Sequence, residues 1–158
     1  MADLNETAVP VSATDLDSMK DQYLTFEIDH EDYGIEIKFV EDIIRMQAIT
    51  KVPDLPAYIE GITNLRGDLI GVIDVRKRFQ KEMKEYDELN CIIVIEYNEF
   101  MLGLIVDSVK EVIPIEADNI APPPSAKLRN YNQYIRNIGK VNQSVKLLLD
   151  LDRFLAQE

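Results

Sequence analysis

A repeat within the chain narrows the possible folds more than any other feature. Displaced by 69 residues, Phe26 falls on Ile95, Glu27 on Glu96, Gly34 on Gly103, Ile35 on Leu104 and Ile37 on Val106. The same displacement sets Val40 on Val109, Asp42 on Glu111, Ile43 on Val112 and Ile44 on Ile113. A slightly larger one pairs Gly67 with Gly139 and Ile73-Asp74-Val75 with Leu149-Asp150-Leu151. Two copies are too few for a solenoid. Each copy reads as short strands with little helix, which favours two small β-barrels of one plan over an open sheet.

Local patterns fill in that plan. Leu24, Phe26 and Ile28 alternate with Thr25, Glu27 and Asp29, the period of a half-buried strand. Tyr33–Lys38 alternates again and completes a hairpin. Val40, Ile43 and Ile44 stand at helical spacing, which predicts a short amphipathic helix, with a brief strand over 47–50. After the proline loop Lys51–Pro56, Ala57–Glu60 is expected to make one helical turn. Ile62–Arg66 and Leu69–Asp74 are expected as strands around a Gly67-Asp68 turn. Val75–Phe79 reads as helix and Gln80–Leu89 as linker. In the second half, 90–97, 100–107, 135–141 and 145–149 read as strands. Pro114–Tyr131 is irregular, and Asp150 can cap a final helix carrying Leu151, Phe154 and Leu155.

Charge and composition exclude several functions. With 17 basic and 29 acidic residues the net charge is −12, a field that repels nucleic acid and anionic membranes. The first 22 residues lack a basic start and an apolar stretch, so no signal peptide is expected. The apolar runs are far too short to span a bilayer. Cys91 lies alone in the run Cys91–Ile95 and reads as a core residue of a protein in a reducing compartment, which points to the cytoplasm.

Reactive centres are missing from the sequence. The lone histidine, His30, lies in a polar turn beside Glu31 and Asp32, with no Ser or Cys nucleophile pattern to accompany it. One His and one Cys cannot build a zinc site, and no phosphate-binding glycine loop occurs. No cofactor is expected. Arg76-Lys77-Arg78 reads as a solvated helix face, with steering of an acidic partner as the alternative.

The copies also differ usefully. Copy one has Asn64-Leu65-Arg66-Gly67 at its hairpin, and copy two has Arg136-Asn137-Ile138-Gly139. Arg66 has no duplicated counterpart, since Ile138 stands nearest its place. A residue that one barrel can do without is a candidate for contact with a partner.

Ala57-Tyr-Ile-Glu-Gly-Ile-Thr-Asn-Leu-Arg-Gly67 followed by Val72-Ile-Asp-Val-Arg76 resembles the CheW family of chemotaxis coupling proteins. Tyr33–Ile37, Val40–Ile43 and Leu102–Asp107 support the resemblance. It implies a mainly β fold of two five-stranded SH3-like barrels with short helices and a C-terminal helix. The corresponding layout is a flexible acidic tail over 1–22 and a CheW-like domain over 23–158. Within that domain, barrel subdomains are expected at 23–85 and 86–150 and the closing helix at 150–157. The resemblance further implies a non-catalytic adaptor between the cytoplasmic tip of methyl-accepting chemoreceptors and the regulatory domain of the histidine kinase CheA. The protein would then be cytoplasmic and recruited to receptor arrays. Arg66 matches the family's coupling arginine, Asn64 and Gly67 complete its motif, and Asp42 matches an acidic residue of receptor contact. Val40, Ile43, Val106 and Val109 are the nominated lining of an apolar receptor groove. The alternatives are a scaffold for a non-motility chemosensory pathway, the coupling half of a larger receiver-bearing protein, a small hydrolase using acidic residues or His30, and a proline-reading SH3-type module. The end of the chain at Glu158 favours the standalone adaptor.

Overall fold

The computed structural model describes residues 20–123 and 133–156. The expected acidic tail lies almost wholly outside them. The strands run β1 (Gln22–Ile28), β2 (Glu31–Glu36), β3 (Val40–Arg45), β4 (Ile59–Leu65), β5 (Asp68–Asp74), β6 (Cys91–Tyr97), β7 (Phe100–Val106), β8 (Ser108–Pro114), β9 (Ile120–Ala121), β10 (Ile135–Val141) and β11 (Ser144–Leu149). Two four-residue helices, α1 (Val75–Arg78) and α2 (Leu151–Phe154), follow β5 and β11, and 3-10 turns occupy Ile37–Phe39 and Ala117–Asn119.

The strands form two sheets, in the orders β8-β1-β2-β11-β10-β9 and β3-β6-β7-β5-β4. This overturns the barrel expectation. Among the described residues neither sheet closes, because no ladder joins β8 to β9 or β3 to β4. The strand that would seal the second sheet ends at Arg45. Only Thr50 regains pairing, through a single bridge to Ile62 with hydrogen bonds of 2.8 and 2.9 Å. The mainly β character and the duplication both hold.

The duplication is threaded through the sheets rather than divided between them. Strands β1, β2 and β3 correspond to β6, β7 and β8, and β4, β5 and α1 correspond to β10, β11 and α2. Each sheet therefore combines the first two strands of one copy with the last strands of the other. The chain enters the second sheet at Val40 and leaves it at Val106. A split near residue 85 falls inside that sheet and separates nothing. The correct displacement for the later elements is 76 residues, from Ile59 to Ile135. A register shift recurs at Ile59/Gly61 and at Ile135/Asn137.

Further sequence readings need correction. Val40–Arg45 is an edge strand, not a helix, because pairing with β6 satisfies its backbone and suits its β-branched residues. A bulge between Val40 and Asp42 turns Val40 toward the core between the sheets and Ile44 toward a second core inside the curl of its own sheet. The basic stretch on α1 is likewise no solvated face, since Arg76 and Arg78 are buried. Cys91, expected in the core, packs half-buried at its margin.

The main core lies between the sheets and is built from Leu24, Phe26, Ile28, Tyr33 and Ile35 on one side and Ile73, Ile93, Ile95, Leu104 and Val106 on the other. Apolar burial of this extent contributes about 25 cal/mol per Å². Asp74 and Asp150 cap the two helices, accepting hydrogen bonds from the backbone N–H groups of Arg76 and Arg153. At one end of the seam Arg76 donates a fork of two hydrogen bonds to Asp107 (2.9 and 3.0 Å), a third to Asp29 and a fourth to the Glu82 carbonyl.

Burial works to raise the Asp107 carboxyl, but hydrogen bonds from Arg76 and the Asp29 amide, with the Arg76 charge, bring it below the ordinary carboxylate range. Asp32 is burdened the same way and lowered by Lys146 and Lys110. A carboxyl depressed in the folded state stabilises the fold above its unfolded pKa of ~3.9, and that stability is lost as pH falls through the folded value. Urea unfolding should therefore show an acid limb below ~pH 4, and Asp107→Asn should lower stability at neutral pH while flattening that limb. Glycine sites give a second check. A Cβ at Gly61 would land on the Thr50 carbonyl oxygen, whereas one at Gly71 would meet only Leu102 Cδ2 at 3.6 Å. Gly61→Ala should cost about 1–3 kcal/mol in urea unfolding, and Gly71→Ala should be tolerated.

Candidate functional site

The β4–β5 hairpin turns on two residues, Arg66 (φ 53°) and Gly67 (φ 91°), one position earlier than the Gly67-Asp68 turn read from sequence. Two consecutive positive φ angles are the signature of the tight turn that best matches strand twist, and its usual residues are Asn, Asp and Gly. Gly67 meets that demand. Asn64 Oδ1 accepts a hydrogen bond from the Gly67 amide at 2.9 Å and holds the turn. An arginine at the first position is disfavoured by about 1–2 kcal/mol.

From that turn the Arg66 side chain reaches across to β3, where Nη2 lies 2.7 Å from Asp42 Oδ2. Asp42 Oδ1 in turn accepts from the Ile43 amide at 2.8 Å, which fixes the carboxylate. The ion pair thus joins the two open edges of the second sheet. The Arg66 side chain is still 73 % exposed, and an ion pair in that setting contributes about 0–1 kcal/mol. The pair does not outweigh the turn's cost, so fold stability is no reason for an arginine here. What the geometry provides is a guanidinium pinned at the surface with donors facing outward, suited to recognising a carboxylate or carbonyl.

The second copy bears this out. Asn142, not Ile138, occupies the equivalent turn position, with φ 55°, and it is a residue that the turn prefers. The asymmetry inferred from the hairpin motifs is therefore real, although its register was wrong.

Arg66, Asp42, Asn64, Gly67 and Ile43 come together at this edge. The other nominated apolar residues do not join them. Val106 lies inside the inter-sheet core, and Val40 and Val109 pack at its margin. Two surface residues escaped the sequence reading. Leu69, opposite Asn64, is 67 % exposed, and Phe100 is 70 % exposed. The parallel register Gly71 with Leu102 sets them side by side at the starts of β5 and β7. Their signal was an apolar residue within two positions of each hairpin turn. His30 is exposed in the β1–β2 turn. Among the described residues no group of His, Cys, Asp and Glu is arranged to hold a metal, and no helix is long and apolar enough to cross a membrane.

An open two-sheet β scaffold of duplicated plan, with its exposed chemistry in a pinned arginine and an adjoining apolar pair, is a recognition protein. Comparison with known proteins makes that class specific. The family model described as CheW-like domain matches residues 22–158, and the chain belongs to the CheW-like family. The chemotaxis protein CheW of Klebsiella aerogenes is 31% identical over 137 residues, 87% of this chain and 82% of that one. That of Treponema pallidum is 29% identical over 159 residues, 98% of this chain and 92% of the relative. The crystal structure of the scaffolding protein TtCheW from Thermoanaerobacter tengcongensis superposes with a TM-score of 0.79 at 33% identity, covering 87% of this chain and 94% of that one. The chain is accordingly a non-catalytic chemotaxis adaptor that links chemoreceptors and the kinase CheA.

If Arg66 serves recognition rather than folding, Arg66→Asn should leave stability unchanged or raise it by up to about 1 kcal/mol, as the better turn residue replaces the worse. Urea unfolding checks this, and a clear loss of stability would return Arg66 to the scaffold.

Proposed function

We propose that the Arg66 edge is the surface through which the adaptor reads the cytoplasmic tip of methyl-accepting chemoreceptors, and that the Leu69–Phe100 pair docks the regulatory domain of the histidine kinase CheA. The protein would act in this way within membrane-associated receptor arrays. The observation that carries the reading is the Arg66–Asp42 pair, formed in one copy of the duplicated plan at a turn where arginine is locally unfavourable. Ile43, exposed beside Asp42, adds an apolar contact to the polar one. A polar anchor beside an apolar pair suits two partners held at once, one by hydrogen-bonded charge and one by desolvation of a large ring.

On this reading the adaptor supplies proximity and differential affinity. It shifts the kinase between states only as far as it binds those states unequally. Catalysis remains with the kinase.

The two surfaces are separable by mutation. Arg66→Asn and Asp42→Asn should abolish receptor-dependent activation of the kinase in reconstituted receptor membranes while kinase binding persists. Leu69→Glu and Phe100→Glu should each weaken binding to the isolated kinase regulatory domain by about tenfold or more and leave co-sedimentation with receptor membranes intact. If all four variants behaved alike in both assays, the assignment of separate surfaces would fall.

A further inference from the structure

Arg78 has no part in either surface, yet it is the cation most deeply committed to both sheets. It ends α1, which belongs to the second sheet, and is only 6% exposed. Its guanidinium carbon lies 3.9 Å from the ring centroid of Tyr58 and 4.8 Å from that of Tyr134. Those tyrosines are duplicated equivalents. Each backbone carbonyl accepts the amide of a helix-capping aspartate, Tyr58 from Asp74 and Tyr134 from Asp150. One tyrosine leads into β4 and the other into β10, so a single guanidinium is sandwiched between the two copies. Arg78 Nε also donates to the Phe154 carbonyl at 2.8 Å, and Nη2 to the Ala156 carbonyl at 2.7 Å.

The adjoining Phe79 carries the same contact deeper. Its ring packs 5.2 Å from Tyr33 and 5.9 Å from both Tyr134 and Phe154, all from the part of the chain that forms the first sheet. Arg78 itself borders open space at the edge of the seam. A cleft of about 700 Å³ opens there, bounded by Pro56, Tyr58, Lys77, Gln133 and Tyr134. At the edge of that cleft the stacked cation and its two carbonyl bonds add a directional tie to the apolar packing between the sheets. Cation–π contacts of this desolvated kind are directional and lost with the charge.

We propose that Arg78 is a positioning residue that clasps the two sheets at a fixed mutual angle, so that partner binding on the second sheet is transmitted as a single rigid unit. The inference rests on the adaptor reading for its consequence but not for its physical content. Arg78→Gln removes the charge and one of the two carbonyl bonds while keeping part of the side chain's bulk. It should bind kinase and receptor separately with affinities close to those of the unchanged protein. Receptor-dependent kinase activation should fall about tenfold, within the usual range of two-site coupling.

A partner-free measurement tests the clasp itself. Spin labels at Leu69→Cys and Val145→Cys, exposed positions on different sheets, in a Cys91→Ala background, should give a distance distribution that widens when Arg78→Gln is added. An unchanged distribution overturns the proposal, and so does a loss of both separate affinities matching the loss of activation. If the unchanged protein failed to couple receptor to kinase, the adaptor reading would fall, while the label distances would still judge the clasp. Should Arg78→Gln not fold, Tyr58→Leu removes one face of the sandwich and is read by the same two measurements.

Discussion

The shared apolar layer between the sheets governs the rest of the structure. Each sheet borrows strands from both copies of the duplicated plan, so neither copy can bury its hydrophobic face alone. Phe26 and Tyr33 stack across the β1–β2 hairpin at 5.8 Å and press into a layer completed by Ile93, Ile95 and Leu104 of the other sheet. Removing either hairpin would expose the largest buried side chains of the molecule. The polar fasteners at the rim, Arg76 with Asp107 and Arg78 between its tyrosines, add direction to an attraction that has none of its own.

Duplication under this constraint separates structural from functional residues. Positions with a scaffold role recur in both copies: Gly34 and Gly103 where a neighbouring side chain occupies the place of a Cβ, Asp74 and Asp150 as helix caps, Tyr58 and Tyr134 beside them. Positions free of that role have diverged. The turn residue is asparagine in one copy, as backbone geometry prefers, and arginine in the other, against that preference. The interior of the second sheet's curl holds Ile70, whereas its equivalent in the first is Lys146, buried and bonded to Asp32 at 2.8 Å.

Much of this was legible in the letters. Strand β1 announced itself by alternation, and the repeat betrayed two related units. Arg66, Asp42, Asn64 and Gly67 were all visible as candidates before any geometry. The failures have physical causes. Val40–Arg45 carries helical spacing because a bulge shifts its alternation midway, and local periodicity cannot register a bulge. Closed barrels were expected because strand count says nothing about whether the last edge finds a partner. Val106 was placed in a groove although it lies in the seam, since an apolar residue on a strand does not reveal which side its neighbours will cover. The buried arginines of α1 read as surface because their partners, Asp107 and the carbonyls of Phe154 and Ala156, lie far along the chain.

The interleaved topology also dictates an order of assembly. The strands of the second sheet run unbroken from Val40 to Val106, whereas those of the first are split on either side of that block. Strand β2 pairs with β11 in parallel, joining Tyr33 to Leu147. Pairings so distant in sequence form slowly, because long loops must close before any contact rewards them. During synthesis the β1–β2 hairpin precedes the other described strands, and its apolar face waits for Ile93, Ile95 and Leu104 of the second sheet to cover it. Until that block is complete the face stays uncovered, and β2 keeps an open edge until β11 arrives, so a newborn chain is most in need of chaperone protection there.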